Sequence, residues 1–166
     1  MKHPILSMAL GVIALSHGLP SAKGPQRRFT VTLAVPQTTV KSGEKILLTI
    51  TLRNDLQRDI YIEGFIGSPE FSYAINVRGE GGKKPPETRY GMALHGEDSG
   101  SPRMVFAPSG GIRELRPAET ITGNLEVTKI YDMAKPGKYS IQVSRFDRAS
   151  KAWVRSNTVT IAVTPK

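Results

Sequence analysis

The sequence predicts an all-β fold, an antiparallel β-sandwich of about seven to eight strands. Three observations predict it. Hydrophobic residues recur at every second position in short segments, as they do on strands with one buried face. Turn-forming Gly, Pro, Asn and Asp residues separate these segments, and no window after the first 22 residues has helical spacing. A partly open barrel is the alternative arrangement of the same strands.

The first 22 residues have the layout of a secretory signal peptide. Residues 1–3 give a basic start, residues 5–15 form an uncharged apolar run, and small residues follow, with cleavage expected after Gly18 or Ala22. The apolar run is too short to cross a bilayer and no second run follows. We therefore expect a protein exported to the periplasm or the medium, without a membrane span.

The remaining residues, 23–166, fit one domain with a sizeable core. The alternating pattern predicts strands at 29–35, 46–53, 59–63, 71–77, 112–115, 120–128, 139–144 and 159–163, and a hairpin over 146–153. Turns are expected at 42–44, 54–55, 117–118 and 147–150, and a single turn at 130–136. Gly123 suggests a bulge in its strand.

A long insertion separates the two halves of this pattern. Residues 79–111 are rich in Gly, Pro and Ser, with weak strand signals only at 90–94 and 103–107. Loops of this length are uncommon in compact domains and are usually functional or disordered. The insertion is therefore the first candidate surface for recognition.

The residues needed for common catalytic sites are missing. The chain has no cysteine, so it has no disulfide, no thiolate zinc cluster and no lipid-modified cysteine. His95 is the only histidine after residue 22, and the run His95-Gly96-Glu97-Asp98 is typical of a solvated turn more than of a metal site. No Gly-x-Ser-x-Gly elbow occurs, and Gly79-Glu80-Gly81-Gly82-Lys83-Lys84 lacks the spacing of a phosphate-binding loop. We expect a protein that is not an enzyme and has no cofactor; a carboxylate-based hydrolase stays open as the weakest alternative.

The charge is strongly basic. Lys2 is the only Lys or Arg in residues 1–22, so the rest of the chain carries 22 basic and 14 acidic residues, a formal charge of +8. Basic residues lie far apart in sequence, which favours a dispersed, solvated charge; the sharper interpretation is attraction to anionic surface polymer or lipid headgroups. No motif or basic helix indicates nucleic-acid binding.

The segment Lys135-Pro136-Gly137-Lys138-Tyr139-Ser140-Ile141-Gln142-Val143 looks like the tyrosine corner of immunoglobulin-like sandwiches, with Ile141 where antibody domains place cysteine. In that motif, the tyrosine hydroxyl bonds back to the backbone near the preceding corner. The alternative is an ordinary strand that begins with an aromatic residue.

The wider arrangement resembles bacterial exported immunoglobulin-like modules, including the N-terminal region of deuterolysin-type secreted zinc peptidases. The matching pieces are Val31-x-Leu33-x-Val35, Ser42-Gly43-Glu44, Ile50-x-Leu52-x-Asn54, Leu115-x-Pro117-x-Glu119-Thr120 and residues 131–139. The paired-histidine zinc helix of the peptidase domain does not occur in this sequence. The resemblance therefore implies a fold and a binding or helper role, not proteolysis.

Six residues are candidate binding residues, because arginine and aromatic side chains dominate interface energetics. They are Arg89, Tyr90, His95 and Arg103 in the long insertion, and Arg148 and Trp153 in the hairpin. For Trp153, core packing is favoured over an exposed anchor. The predicted function is a non-enzymatic binding or accessory module whose partner is an unknown protein or an anionic cell-envelope polymer. A proteinase inhibitor or a chaperone-like module for a secreted peptidase is the alternative.

Overall fold

The computed structural model describes residues 27–64, 68–96 and 111–166. The expected signal peptide lies outside these ranges. The described chain is mostly β, with ten strands, one short helix and three 3-10 turns at Pro69–Phe71, Glu80–Gly82 and Val127–Lys129. The strands are β1 (Phe29–Ala34), β2 (Thr39–Lys41), β3 (Leu47–Asn54), β4 (Ile60–Gly64), β5 (Ala74–Arg78), β6 (Gly111–Leu115), β7 (Thr120–Glu126), β8 (Gly137–Asp147), β9 (Ala152–Arg155) and β10 (Val159–Thr164), and the helix is α1 (Arg89–His95).

The strands form three sheets. One has the order β1-β3-β7, the second has the order β2-β10-β8-β5 with β9 also paired to β8, and the third pairs β4 with β6. All pairings are antiparallel except that of β2 with β10, which is parallel. The expectation of a purely antiparallel fold is therefore wrong at β2, a three-residue strand whose partner lies far away in the sequence.

Most predicted strands are confirmed in position, but the one expected at 71–77 begins only at Ala74, after the 3-10 turn Pro69–Phe71, and the one expected at 120–128 ends at Glu126. The number of strands is higher than expected. The sequence pattern did not predict β2. The last two strands, β9 and β10, pair with successive parts of β8. The β8–β9 register pairs Ser144 with Arg155, whereas the β8–β10 register pairs Ile141 with Val159, so one extra residue lies between the two pairs. Ser156 fills this bulge, because its Oγ accepts a hydrogen bond from Val143 N at 3.1 Å and its own N donates to Val143 O at 2.9 Å.

Gly123 is not at a bulge. The β3–β7 register runs without interruption from Leu47–Glu126 to Arg53–Thr120. A β-carbon at position 123 would lie 2.8 Å from Pro69 Cγ. The glycine therefore gives Pro69 room to pack against the inner face of β7, the face that Ile121 and Leu125 share.

The core is one cluster of buried apolar residues that includes members of all three sheets. Tyr139, Ile141 and Val143 are all buried on the inner face of β8, as the alternation predicts. The Tyr139 hydroxyl donates to the Lys135 carbonyl at 2.7 Å, which confirms the expected bond back to the preceding corner. Every buried side-chain nitrogen and oxygen of the described residues has a hydrogen-bond partner.

Polar side chains fix the turns and one sheet edge. The Asn54 side chain accepts from Leu56 N at 2.8 Å and donates to the carbonyls of Arg58 and Leu115, which confirms the turn expected there. Asn157 bonds both backbone groups of Leu33, at 2.8 and 2.9 Å, on the edge of β1 that faces away from β3. This amide therefore covers a strand edge that would otherwise be open.

In the long insertion, the sequence suggested a weak strand signal at 90–94. The structure shows helix α1 there instead, over Arg89–His95. Thr88 caps the helix, since its Oγ1 accepts from Gly91 N at 3.1 Å, and Gly96 ends it with a left-handed φ of 77°. The other weak strand signal, at 103–107, lies outside the described ranges. No helix in the described chain is long and apolar enough to cross a membrane.

Candidate functional site

Two of the three candidate residues on α1, Tyr90 and His95, make contacts that hold the helix in place. The Tyr90 hydroxyl donates to Glu70 Oε1 at 3.2 Å, and Lys129 Nζ lies 4.1 Å from the centre of the Tyr90 ring. His95 Nδ1 lies 2.9 Å from Glu87 Oε2. Arg89 is exposed at the start of the helix. Arg103 lies outside the described residues.

Glu87 contacts both His95 and Lys84. Its side chain is buried and meets Lys84 at one carboxylate oxygen and His95 at the other. Burial raises the pKa of Glu87, but the hydrogen bonds and charges of Lys84 and His95 outweigh it and hold that pKa below its ordinary value. The carboxylate therefore ties α1 to the β-bridge that joins Glu87 to Tyr131.

The His95 imidazole is engaged by Glu87, and Glu97 and Asp98 of the same run lie outside the described residues. Within residues 27–64, 68–96 and 111–166, no group of three or more His, Asp or Glu side chains is arranged to hold a metal ion.

Arg148 and Trp153 belong to a second region, at the β8–β9 hairpin. Trp153 is 57% exposed, so the expectation of core packing is wrong. The register explains this: Trp153 pairs with Phe146, and both occupy outward positions because Arg145 and Val154 take the inward ones. The two rings meet edge to face, with centroids 5.5 Å apart.

We call Tyr61, Phe146, Arg148 and Trp153 the hairpin surface. Tyr61 is 60% exposed on β4 and Phe146 is 43% exposed on β8. These residues line two adjoining clefts that share Glu63, Arg145, Phe146 and Arg148. The cleft beside Tyr61 measures about 310 Å³ and the one beside Trp153 about 530 Å³. Neither cleft is lined by a residue of α1.

Ion pairs hold the hairpin surface in one shape. Asp147, buried at the end of β8, meets Arg28 Nη1 at 2.9 Å and also accepts from Ser150 Oγ at 2.6 Å and Ala149 N at 3.2 Å. Burial raises the pKa of Asp147, but these hydrogen bonds and the Arg28 charge outweigh it and hold that pKa below its ordinary value. Arg148 Nη1 lies 2.6 Å from Glu63 Oε2.

The floor between the two clefts is the Arg145 guanidinium. It donates to the Glu63 carbonyl and lies 5.2 Å from the centre of the Tyr73 ring. Gly64 makes room for it, because a β-carbon there would lie 2.7 Å from Arg145 Nη2. Burial raises the pKa of Tyr73, and the neighbouring guanidinium partly offsets this.

Sequence reasoning found two members of the hairpin surface and missed Tyr61 and Phe146. The missed residues were detectable in principle. Tyr61 lies between the buried Ile60 and Ile62, and Phe146 continues the outward phase of β8. What the sequence could not give is the position of β4 beside the hairpin, because this depends on long-range packing.

The chain matches no protein-family model, and no curated protein shows significant similarity to it.

Proposed function

We propose that this chain is an exported, non-enzymatic binding module with an immunoglobulin-like β-sandwich fold, which captures a macromolecular partner through the hairpin surface. The Tyr139–Lys135 hydrogen bond and the core shared by the two larger sheets support the sandwich. Export is supported by the basic start at residues 1–3, the apolar, uncharged run at 5–15 and the small residues that follow it.

The observation that carries the binding role is the cluster of exposed aromatic rings beside Arg148. Exposed aromatic side chains and arginine are the residue types that contribute most to interface free energy. The backbone beneath Phe146 and Trp153 is an antiparallel hairpin closed by the Asp147 carboxylate, so little backbone conformational entropy is lost when these two rings bind. A pre-shaped aromatic surface of this kind suits recognition.

The charges in the clefts argue against a carboxylate hydrolase. Glu63 and Asp147 are the acids that line the two clefts, and each is paired with an arginine. Cleavage of a glycosidic bond needs one acid whose pKa is raised so that it keeps its proton. The lowered pKa of Asp147 is the opposite of that requirement.

The test is capture of envelope material by the immobilised protein, compared across variants. Trp153→Ala and Phe146→Ala should each reduce the retained partner at least tenfold, because each removes about half of the aromatic pair. Leu47→Ala is the matched control, since Leu47 is 49% exposed on the outer face of the other large sheet. Equal retention by all three variants, each folded by circular dichroism, would disprove the hairpin surface as the binding site.

A proteinase inhibitor is the second candidate, and one observation favours it. The hairpin tip presents an exposed Arg148 on a turn closed by Asp147, and a rigid exposed basic residue is what a protease with an acidic specificity pocket binds. A panel of extracellular proteases decides this. Slowed turnover of a basic-specific protease, restored by Arg148→Ala, would support inhibition, and unchanged turnover across the panel would exclude it.

A further inference from the structure

The outward face of the five-stranded sheet carries charge of one sign. Four basic residues point away from the core, on four different strands: Lys41 on β2, Lys138 on β8, Arg78 on β5 and Arg155 on β9. None of the outward positions on these strands or on β10 holds Asp or Glu. The outer face of the three-stranded sheet, by contrast, holds both Arg53 and Glu126.

These four side chains are free to meet a ligand. None of them belongs to the ion pairs of the described chain, and Arg78 makes only a long contact of 3.5 Å to the Gly82 carbonyl. Arg78 pairs with Ser140 across the strands, two residues from Lys138. Strand geometry therefore places Lys138 and Arg78 about 8 Å apart. The arrangement modifies the expectation of a dispersed charge, because residues distant in sequence meet on one face.

The outward face is long, and basic and polar side chains follow one another along it. It extends about 27 Å along β8 from Lys138 to Phe146, at about 3.4 Å per residue, and the Phe146–Trp153 pair lies at its far end. Between the charges are hydroxyl and amide side chains, including Ser140, Gln142 and Ser144. Such groups donate and accept hydrogen bonds as sugar hydroxyls require.

A protein partner suits this face poorly, because the centre of a protein interface is apolar and the middle of this face is polar. A bilayer also suits it poorly. Proteins that lie on a membrane through an amphipathic helix bury a continuous apolar face, whereas the sheet face that ends in Phe146 and Trp153 is polar along its middle.

We propose that the outward face of the five-stranded sheet binds a linear anionic glycan. Acidic groups of the glycan pair with Lys41, Arg78, Lys138 and Arg155, and a sugar ring packs on the Phe146–Trp153 pair. The inference rests on the proposed function, because it names the chemistry of the partner that reaches the hairpin surface.

The test measures affinity for polygalacturonate, a polyuronate, with uncharged dextran as a reference. The double variant Arg78→Glu/Lys138→Glu should bind polygalacturonate at least tenfold more weakly. Arg53→Glu/Arg58→Glu is the matched control, since it changes the net charge equally at exposed residues elsewhere; its affinity should change less than threefold. Binding should also weaken as salt is raised, because exposed charges are screened. Circular dichroism checks that both variants fold.

Three outcomes would overturn the inference. Equal weakening by the two double variants would show that only diffuse charge matters. Binding to phosphatidylglycerol vesicles but not to polygalacturonate would indicate a membrane surface. Binding to uncharged dextran as strong as binding to polygalacturonate would exclude a role for charge.

The proposed function is separable from this inference. If Trp153→Ala abolishes envelope capture while Arg78→Glu/Lys138→Glu leaves capture and polygalacturonate binding intact, the binding module stands and the glycan face is wrong. If Trp153→Ala leaves capture intact but the basic double variant loses polygalacturonate, the hairpin surface is wrong and the charged face stands.

Discussion

Gly91 lies where α1 meets the turn that follows β7. It is buried, and a β-carbon at this position would lie 2.2 Å from the Ile130 carbonyl oxygen. That same carbonyl accepts hydrogen bonds from Thr88, at its N and at its Oγ1. Any side chain at position 91 therefore pushes the helix off the contact that begins it.

Gly91→Ala should lower the free energy of unfolding by about 1–3 kcal/mol, the usual cost of forcing an extra methyl group into a packed contact. Urea denaturation measures the change. The control is Gly111→Ala, because a β-carbon at 111 meets nothing within 4 Å, and we expect it to change stability by less than about 0.5 kcal/mol. Equal stability of the two variants would contradict the close packing of α1.

Single residues differ in how well the sequence predicts them. Tyr139 was predictable because Pro136-Gly137 and the alternating residues after it form a local motif, and its hydroxyl bonds only four residues back. Trp153 was not, because the choice between core and surface depends on its pairing with Phe146. Size and hydrophobicity alone favour burial, and here the register decided otherwise.

At the scale of elements, the β8–β9 hairpin depends on one ionised carboxylate. The pKa of Asp147 is lowered in the folded protein, so this group stabilises the fold at a pH above its ordinary pKa. The stabilisation is lost as the pH falls through the lowered folded value. Protonation removes the charge that attracts Arg28 and weakens acceptance from Ser150 and Ala149.

In Asp147→Asn, the free energy of unfolding should therefore fall less steeply than in the wild type as the pH is lowered from 5. Near neutral pH the variant should be less stable than the wild type, and the difference should shrink as the medium becomes more acid than about pH 4. Ser150→Ala, which removes one of the partners, should give a smaller effect of the same sign. Parallel curves for wild type and Asp147→Asn would show that this carboxylate does not hold the hairpin.

Elements were predictable where the pattern is long enough to be read. β1, β3 and β8 each alternate over six residues or more, and their inner faces follow the predicted phase. β2 has only three residues and follows Pro36, so no periodicity could be seen. Helix α1 spans seven residues, and its signals were the caps at Thr88 and Gly96 rather than a hydrophobic stripe.

At the scale of the whole molecule, surfaces are assembled by pairings that local sequence does not encode. Arg78 and Lys138 are neighbours only because β5 pairs with β8, and Arg155 joins their face because the bulge at Ser156 sets the phase of β9. The basic composition was visible in the sequence. Its concentration on one sheet face required the register, which long-range packing fixes.

One buried cluster connects the three sheets, so we expect the described chain to unfold as a unit. Trp153, the only tryptophan, reports on the hairpin surface, while far-UV circular dichroism reports on all the strands. The two signals should give the same urea midpoint. Ile141→Ala, at the fully buried centre of β8, should lower both midpoints together and cost about 2–5 kcal/mol.

The matched control is Ile112→Ala, since Ile112 is exposed on β6 and its removal should leave both midpoints almost unchanged. If Trp153 fluorescence changes at lower urea than circular dichroism, the hairpin opens before the core. The hairpin surface would then be a locally unfolding segment rather than a rigid one. Its binding would then carry an additional cost in conformational entropy, because the surface would not be shaped before the partner arrives.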